Sequence, residues 1–231
     1  MLGFRFQPVI QNMSFILEGA GVTFSLSVLG FLIGSFIGIF IAFGRRSHTP
    51  LLRYSSSAFI EAVRNTPFLV HVYFFYFALG EIGINIPSYF ALLIALIIMN
   101  AGYMSEIIRG GIEVIKTEQI KSAEALGLSS FQIKRYIIIP PVLRVVLPPS
   151  LNQFAISFLS SSLGVVIGVK ELTWRADFLQ ARNFLSLESY LVAAAFYIII
   201  VKITLSTSRF IDKKVFKYKL TSSQKRLGDF N

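Results

Sequence analysis

An all-α integral membrane protein with about five transmembrane helices is predicted by three observations. Charged residues make up only 15% of the 231-residue chain against 54% hydrophobic ones, and mean hydropathy is +0.67. A soluble domain carries roughly a quarter charged residues. Four stretches, Gly19 to Gly44, Asn65 to Gly80, Ile82 to Ser105 and Val145 to Val169, contain no Asp, Glu, Lys or Arg. The basic residues crowd one set of connecting segments.

Residues 1 to about 14 read as a short outer segment. Span one covers about 19–44, longer than the roughly 20 residues that cross ~30 Å of hydrocarbon. Its uncharged run is about twice the apolar core of a secretory leader, so it reads as a span. Gly30, Gly34 and Gly38 recur every fourth residue, a pattern that lets helix backbones approach closely. Packing within the chain is favoured over a subunit interface. Span two is placed at 56–80, because Asn65 to Gly80 alone is short, with Glu61 and Arg64 near its basic end. Span three is placed at 84–106.

The segment from about 110 to 145 is too polar to insert. Thr117 is expected to cap a helix from Glu118 to about Leu126, with Gly127 as its left-handed cap. Ser129 or Ser130 restarts a helix over Phe131 to Ile138. Pro140 and Pro141 are expected to end it, and Pro148 and Pro149 to break the chain again. Span four is placed at 147–169 and span five at 187–208, where Lys202 snorkels toward headgroups. The Ser160 to Gly164 run suits close packing or a helix break. One transmembrane domain takes in residues 1–231. The basic tail after Phe210 is expected to be loosely ordered or to lie near anionic lipid.

Of 22 basic residues, four lie between spans one and two, six between spans three and four, and seven in the tail. Arg5, Lys170, Arg175 and Arg182 lie on the other side. The positive-inside rule then puts the N-terminus outside and the C-terminus in the cytoplasm. Topology accounts for the net charge of +10, and nucleic acid is not expected as a partner.

Cysteine is absent and there are two histidines, which excludes disulfides, thiolate metal sites and a cysteine nucleophile. No phosphate-binding loop, zinc-ligand pair or serine elbow occurs. The chain is therefore not expected to be an enzyme, and any ATP must be hydrolysed by another chain. The informative residues are polar groups at membrane depth: His71, Asn100, Tyr103, Asn152, Gln153, Ser157 and Ser160 to Ser162. Such groups face a bundle interior or a watery cavity. Two readings stay open: a path for a polar solute, or hydrogen bonding between helices. The polar helix–turn–helix likewise fits a docking element or a partnerless interfacial helix.

Six blocks in order carry a resemblance. They are Arg64-Asn65-Thr66-Pro67-Phe68-Leu69-Val70; Glu106-Ile107-Ile108-Arg109-Gly110-Gly111-Ile112; Gln119 to Leu128 followed by Ile138-Ile139-Pro140; Asn152-Gln153-Phe154; Val166-Ile167-Gly168-Val169; and Glu171-Leu172. From about Gly19 to Phe216 the chain resembles the permease subunit of polar amino acid importers of the ATP-binding cassette class, the histidine, glutamate, glutamine, arginine and opine type.

The resemblance implies a type I importer permease fold in a bacterial inner membrane. It implies a pore made by two permease chains, two cytosolic ATPase subunits and an extracytoplasmic amino acid binding protein, with membrane lipid around them. No cofactor is expected on this chain, since ATP and Mg are used by the ATPase. Coupling to the ATPase falls to a helix at about 117–127, with Gln119, Lys121, Ser122, Ala123, Leu126, Gly127, Leu128 and Pro140. The translocation path falls to His71, Asn100, Tyr103, Asn152, Ser160 and Ser161.

Two departures stand out. Lys121 and Ser122 occupy the places of the signature's Glu and first Ala. Leu159-Ser160 stands where a charged pair is frequent, and His71 where Gln is frequent. A neutral half-site and a reversed coupling charge imply pairing with a different permease chain. The competing expectations are an ion-gradient-driven carrier or channel acting alone, which lacks the inverted halves and mid-span acid it would need, and a non-transport membrane scaffold.

Overall fold

The computed structural model describes residues 4–215, with side chains as far as residue 206. The described residues are almost wholly helical, with no strand among them. In chain order the elements are α1 (Gln7–Gln11), α2 (Met13–Arg45), α3 (Pro50–Arg64), α4 (Phe68–Glu81), α5 (Ser88–Glu113), α6 (Thr117–Ala125), α7 (Ser130–Ile167), α8 (Leu172–Asn183) and α9 (Ser186–Val215). Four of them, α2, α5, α7 and α9, are long and apolar enough to cross a membrane. The expected tail beyond residue 215 lies outside the described residues.

The second expected span is divided. Pro67 has no N–H to donate and disfavours a helical Thr66 before it. The chain is extended there, with Pro67 at φ −56° and ψ 138°. Upstream, α3 is amphipathic and buries only Ile60 and Val63. Downstream, α4 has the length of about 21 Å that its residues give at 1.5 Å each, short of the hydrocarbon thickness. Its Phe74–Ala78 turn is π-helical.

Helices α2 and α5 form the spine. Leu96, Asn100 and Met104 of α5 fill the places that side chains on Gly30, Gly34 and Gly38 would need. A Cβ on Gly34 would stand 2.6 Å from both the Asn100 Cβ and the Ile97 carbonyl. The glycine repeat is therefore used within the chain, as expected. Beside the spine, Leu26 of α2, Val72 of α4 and Leu92, Leu96 and Met99 of α5 pack in one core with Ile167 and Val169.

The prolines of α7 behave differently from the expectation. Pro140 and Pro141 do not end the helix. They sit in the first turn after a π-helical stretch, Ile133–Ile138, where a missing N–H costs little. Pro148 and Pro149 are inside the helix and do not break it; in lipid, freed carbonyls can be satisfied by nearby hydroxyls. The Ser150 hydroxyl donates to the Val146 carbonyl at 2.7 Å, next to the carbonyls of residues 144 and 145, to which the two prolines offer no N–H. The helix tightens to 3₁₀ at Ser162–Ile167 and stops at Gly168, φ +74°, the change of winding that the serine run suggested.

A polar knot closes the end opposite α6. Glu171 is fully buried at the N-terminus of α8 and accepts from the Thr173 and Trp174 amides at 2.9 and 2.7 Å. The Tyr197 hydroxyl of α9 donates to it at 2.9 Å and the Thr23 hydroxyl of α2 at 3.4 Å. Three helices thus meet on one carboxyl. Val9, Ile16, Leu172, Ala176 and Leu179 pack around this end. Burial pushes the Glu171 carboxyl above its ordinary value, against the four hydrogen bonds that favour its charge.

Gly34→Ala is expected to destabilise the chain by roughly 1–3 kcal/mol through overpacking, read as a lower unfolding midpoint in detergent. Gly21→Ala, with open space around it, should leave the midpoint within error. For Glu171 the folded value is raised, so its contribution is fully present below the unfolded value of about 4.5 and is lost as pH rises through the folded one. The midpoint of wild type relative to Glu171→Gln should therefore fall as pH rises above about 4.5; a constant difference would contradict the assignment.

Candidate functional site

The expected path residues separate into two groups. On α7, Gln153, Ser157 and Ser161 follow one another at helical spacing and are buried. The Gln153 amide and Ser157 hydroxyl donate to the Asn100 Oδ1 of α5 at 3.1 and 2.8 Å, and the Asn100 amide donates to the Leu96 carbonyl at 2.8 Å. The Ser161 hydroxyl returns to the Phe158 carbonyl at 2.8 Å. In this state Asn100 and Ser161 serve helix-to-helix and local hydrogen bonding and have no open surface. The neighbouring face of α7 carries Asn152, which is exposed, and Ser160, which is half-buried.

His71 and Tyr103 are half-buried. The His71 Nδ1 is buried and has no hydrogen-bond partner among the described residues. The Tyr103 ring lies under the Arg64 guanidinium, 5.4 Å from its centroid.

Below Tyr103, toward the end that carries α6, lies a charge cluster. Glu106 of α5 is the hub. It bonds Arg45 from the end of α2, approaches Arg64 from the end of α3 at 3.7 Å, and accepts from Arg109 one turn on at 3.0 Å. Arg109 also donates to Glu113 at 2.6 Å. Three guanidinium groups thus face two carboxylates, and three helix ends are tied at one point. Glu106 and Arg109 stood in a recognised block, yet neither was an expected site residue. The signal available was an acid at the basic end of span three, three residues before Arg109, with Arg45 and Arg64 at the same ends of their helices.

The expected coupling residues other than Pro140 lie together on α6 and the turn after it. The helix begins one residue early, at Thr117, with Lys116 in the cap position and no side-chain cap. At its end the Leu128 amide donates to the Ala123 carbonyl at 3.1 Å and the Gly127 amide to the Glu124 carbonyl at 2.9 Å. These paired bonds need a left-handed residue at Gly127, whose φ is +77°. Ser129 then starts α7 with a reciprocal capping box to Gln132.

Ala123 faces inward, whereas Gln119, Lys121 and Ser122 are exposed. Leu126, Phe131 and Tyr136 are 80%, 75% and 67% exposed. A cleft of about 830 Å³ opens beside them, lined by Gln119, Ser122, Ala123, Leu126, Leu128 and Tyr136. Pro140 is exposed on α7, just after its π-helical stretch, outside this lining. Phe131 and Tyr136 extend the apolar surface beyond the expected residues. Among the described residues no cluster of His, Asp or Glu could hold a metal ion.

The chain resembles known proteins in family, in sequence and in fold. A family described as binding-protein-dependent transport system inner membrane component matches residues 34–217. The glutamine transport system permease protein GlnP of Escherichia coli (strain K12) is 35% identical over 92% of this chain and 98% of its own. The probable amino-acid ABC transporter permease protein YckA of Bacillus subtilis (strain 168) is 32% identical over 93% of this chain and 95% of its own. Among solved structures, a crystal structure of an amino acid ABC transporter with histidines superposes with a TM-score of 0.85, at 30% identity, over 92% of this chain and 100% of that one. An inward-facing MetNI methionine ABC transporter shares the fold at TM-score 0.68 and 18% identity.

Glu106→Gln should leave Arg45, Arg64 and Arg109 facing one another. The loss expected is roughly 1.5–3 kcal/mol, the scale of hydrogen bonds to charged groups. Added salt should recover part of it in the variant and little in the wild type, since screening weakens the remaining repulsion. Unfolding midpoints at two ionic strengths check this.

Proposed function

The chain belongs to the family of binding-protein-dependent transport system inner membrane components, and we propose that it forms half of the pore of an ATP-driven importer of polar amino acids. As a member of that family it is a multi-pass transport subunit of the inner membrane, and not an enzyme. The amino acid cargo is supported by the names of its relatives, a glutamine permease and an amino-acid permease. The observation that carries the mechanism is the α6–turn–α7 hairpin, a polar helix and the start of α7 that together present Leu126, Phe131 and Tyr136 at the basic end of the bundle.

In this reading the basic end faces the cytoplasm. A cytosolic ATPase dimer holds the hairpin through Gln119, Lys121, Ser122, Leu126 and Leu128, with Ala123, Gly127 and Pro140 shaping it. ATP and Mg act there, on the partner. The opposite end receives an amino acid binding protein. Nucleotide and loaded binding protein each favour one of two arrangements of the pore, so each shifts the same equilibrium through its differential affinity.

Asn152, Ser160, His71 and Tyr103 line the path from this chain. Asn100 and Ser161 reach it only if α5 and α7 part along their polar seam. A second permease chain, different from this one, supplies the other half. Lys121 supports that pairing, because it puts a cation where the partner of an intact signature meets an acid. An ion-driven carrier acting alone is the reading to be tested against.

The test is uptake of labelled amino acids into proteoliposomes holding this chain, its ATPase and a candidate second permease, with the matching binding protein. Gly127→Pro imposes φ near −65° where +77° is needed. It should abolish ATP-dependent uptake while the chain still inserts. Unchanged uptake in the variant would remove the hairpin from coupling, and uptake without ATP would remove the importer reading.

A further inference from the structure

The break between α3 and α4 lies inside the hydrocarbon. Val63, near the end of α3, packs on Gly102, fourteen residues after Ser88. That is about 21 Å along α5 at 1.5 Å per residue, within ~30 Å of hydrocarbon. Val72, further on, packs in the core with Leu92, closer to the Ser88 end. Residues 65–67 therefore pass through the membrane interior outside any helix. The Thr66, Phe68 and Leu69 amides have no backbone partner among the described residues, and Asn65 and Pro67 are exposed on this chain. Irregular backbone at that depth is tolerated only inside protein or beside a water-filled cavity. Acyl chains are thus excluded from this face.

Arg64 opens onto the same face. Its side chain is 42% exposed, and its guanidinium lies over the Tyr103 ring. Of the three guanidinium groups around Glu106 it is the one left over. Arg45 and Arg109 take both carboxylate oxygens in hydrogen bonds. Arg64 stands at 3.7 Å, an attraction between charges beyond hydrogen-bond reach. Glu113, the other acid of the cluster, bonds Arg109. The Arg64 donors, the Tyr103 hydroxyl and the Asn65 amide group make no hydrogen bond to any described residue.

A guanidinium at membrane depth faces water or an anion. Its planar fork fits a carboxylate with two parallel hydrogen bonds. In the reading proposed above, the solute path runs along this face, past His71 and Tyr103, and none of its six expected residues carries a fixed charge. A polar amino acid brings one α-carboxylate whatever its side chain.

We infer that Arg64 binds the α-carboxylate of the amino acid in transit, its paired N–H groups donating to the two oxygens, with Tyr103 and Asn65 beside it. The α7 part of the half-site is neutral, so in this chain the cation that reads the substrate stands at the end of α3. The inference rests on the amino acid importer reading and adds to it the residue that recognises the group common to all its substrates.

The complex of this chain with its ATPase and second permease is placed in nanodiscs without binding protein. Equilibrium binding is measured for each labelled L-amino acid and for its α-amide, which lacks the carboxylate. ATP-dependent uptake is measured in parallel in proteoliposomes with binding protein. For the amino acid taken up, the wild type should bind the acid roughly tenfold to a hundredfold more tightly than the amide. Arg64→Gln should bring that ratio near one, mainly by weakening the acid. Glu106→Gln disturbs the cluster but frees Arg64, and should keep the ratio or raise it. Should Arg64→Gln fail to assemble, Arg64→Lys, which keeps the charge without the paired N–H groups, should give an intermediate ratio. A ratio unchanged in the Arg64 variants, a ratio lost equally in Glu106→Gln, or no binding to the wild type at millimolar concentration would each overturn the inference, while wild-type uptake upholds the transport reading. Loss of the second permease from Arg64→Gln with an unchanged ratio in Arg64→Lys would overturn it in favour of a carboxylate on that chain. No ATP-dependent uptake of any amino acid by the wild type would overturn both.

Discussion

The close approach of α2 and α5 governs the rest of the structure. Three glycines on one stripe of α2 let the backbone of α5 settle where side chains would otherwise stand. Lipid gives no hydrophobic drive to join two apolar helices, so contact area and close packing must do it. Once the two helices touch along their length, both ends of α2 are fixed. One end brings Arg45 to Glu106. The other brings Thr23 to Glu171, and with it α8 and α9. The two polar knots are consequences of one seam.

The same seam explains why polar residues at membrane depth divide as they do. Asn100 faces both the glycine stripe of α2 and the serine–glutamine stripe of α7. It satisfies its carbonyl twice and its amide once, which is what a group cut off from water requires. Residues one face away on α7, Asn152 and Ser160, keep open surface. Being polar within a span therefore does not assign a residue to a path. Its position around the helix, relative to the packed stripe, does.

Much of this was legible in sequence. The glycine repeat gave its packing role, and Gly127 with a serine at 129 or 130 gave the hairpin turn, because each is a local backbone requirement with its own residue type. Two kinds of feature were not legible. Proline was read as a terminator at Pro140 and Pro148, but its effect depends on where the helix begins and on how lipid-buried carbonyls are satisfied. Pro67, set before α4, does interrupt the second expected span. The clusters on Glu106 and Glu171 join residues from helices far apart in the chain, and no spacing rule reaches across such distances. Only the approach of α2 to α5 and α8 makes them neighbours.

The functional account depends on which end of the bundle meets the ATPase. The chain has no cysteine, so one introduced thiol reports on one place. The most direct measurement is crosslinking from Leu126→Cys and, separately, from Phe184→Cys at the opposite end, in membranes that contain the co-expressed ATPase. The account predicts a crosslink to the ATPase from Leu126→Cys, changed in yield by ATP, and none from Phe184→Cys. Crosslinking from Phe184→Cys, or none from Leu126→Cys in a complex that still takes up substrate, would contradict it.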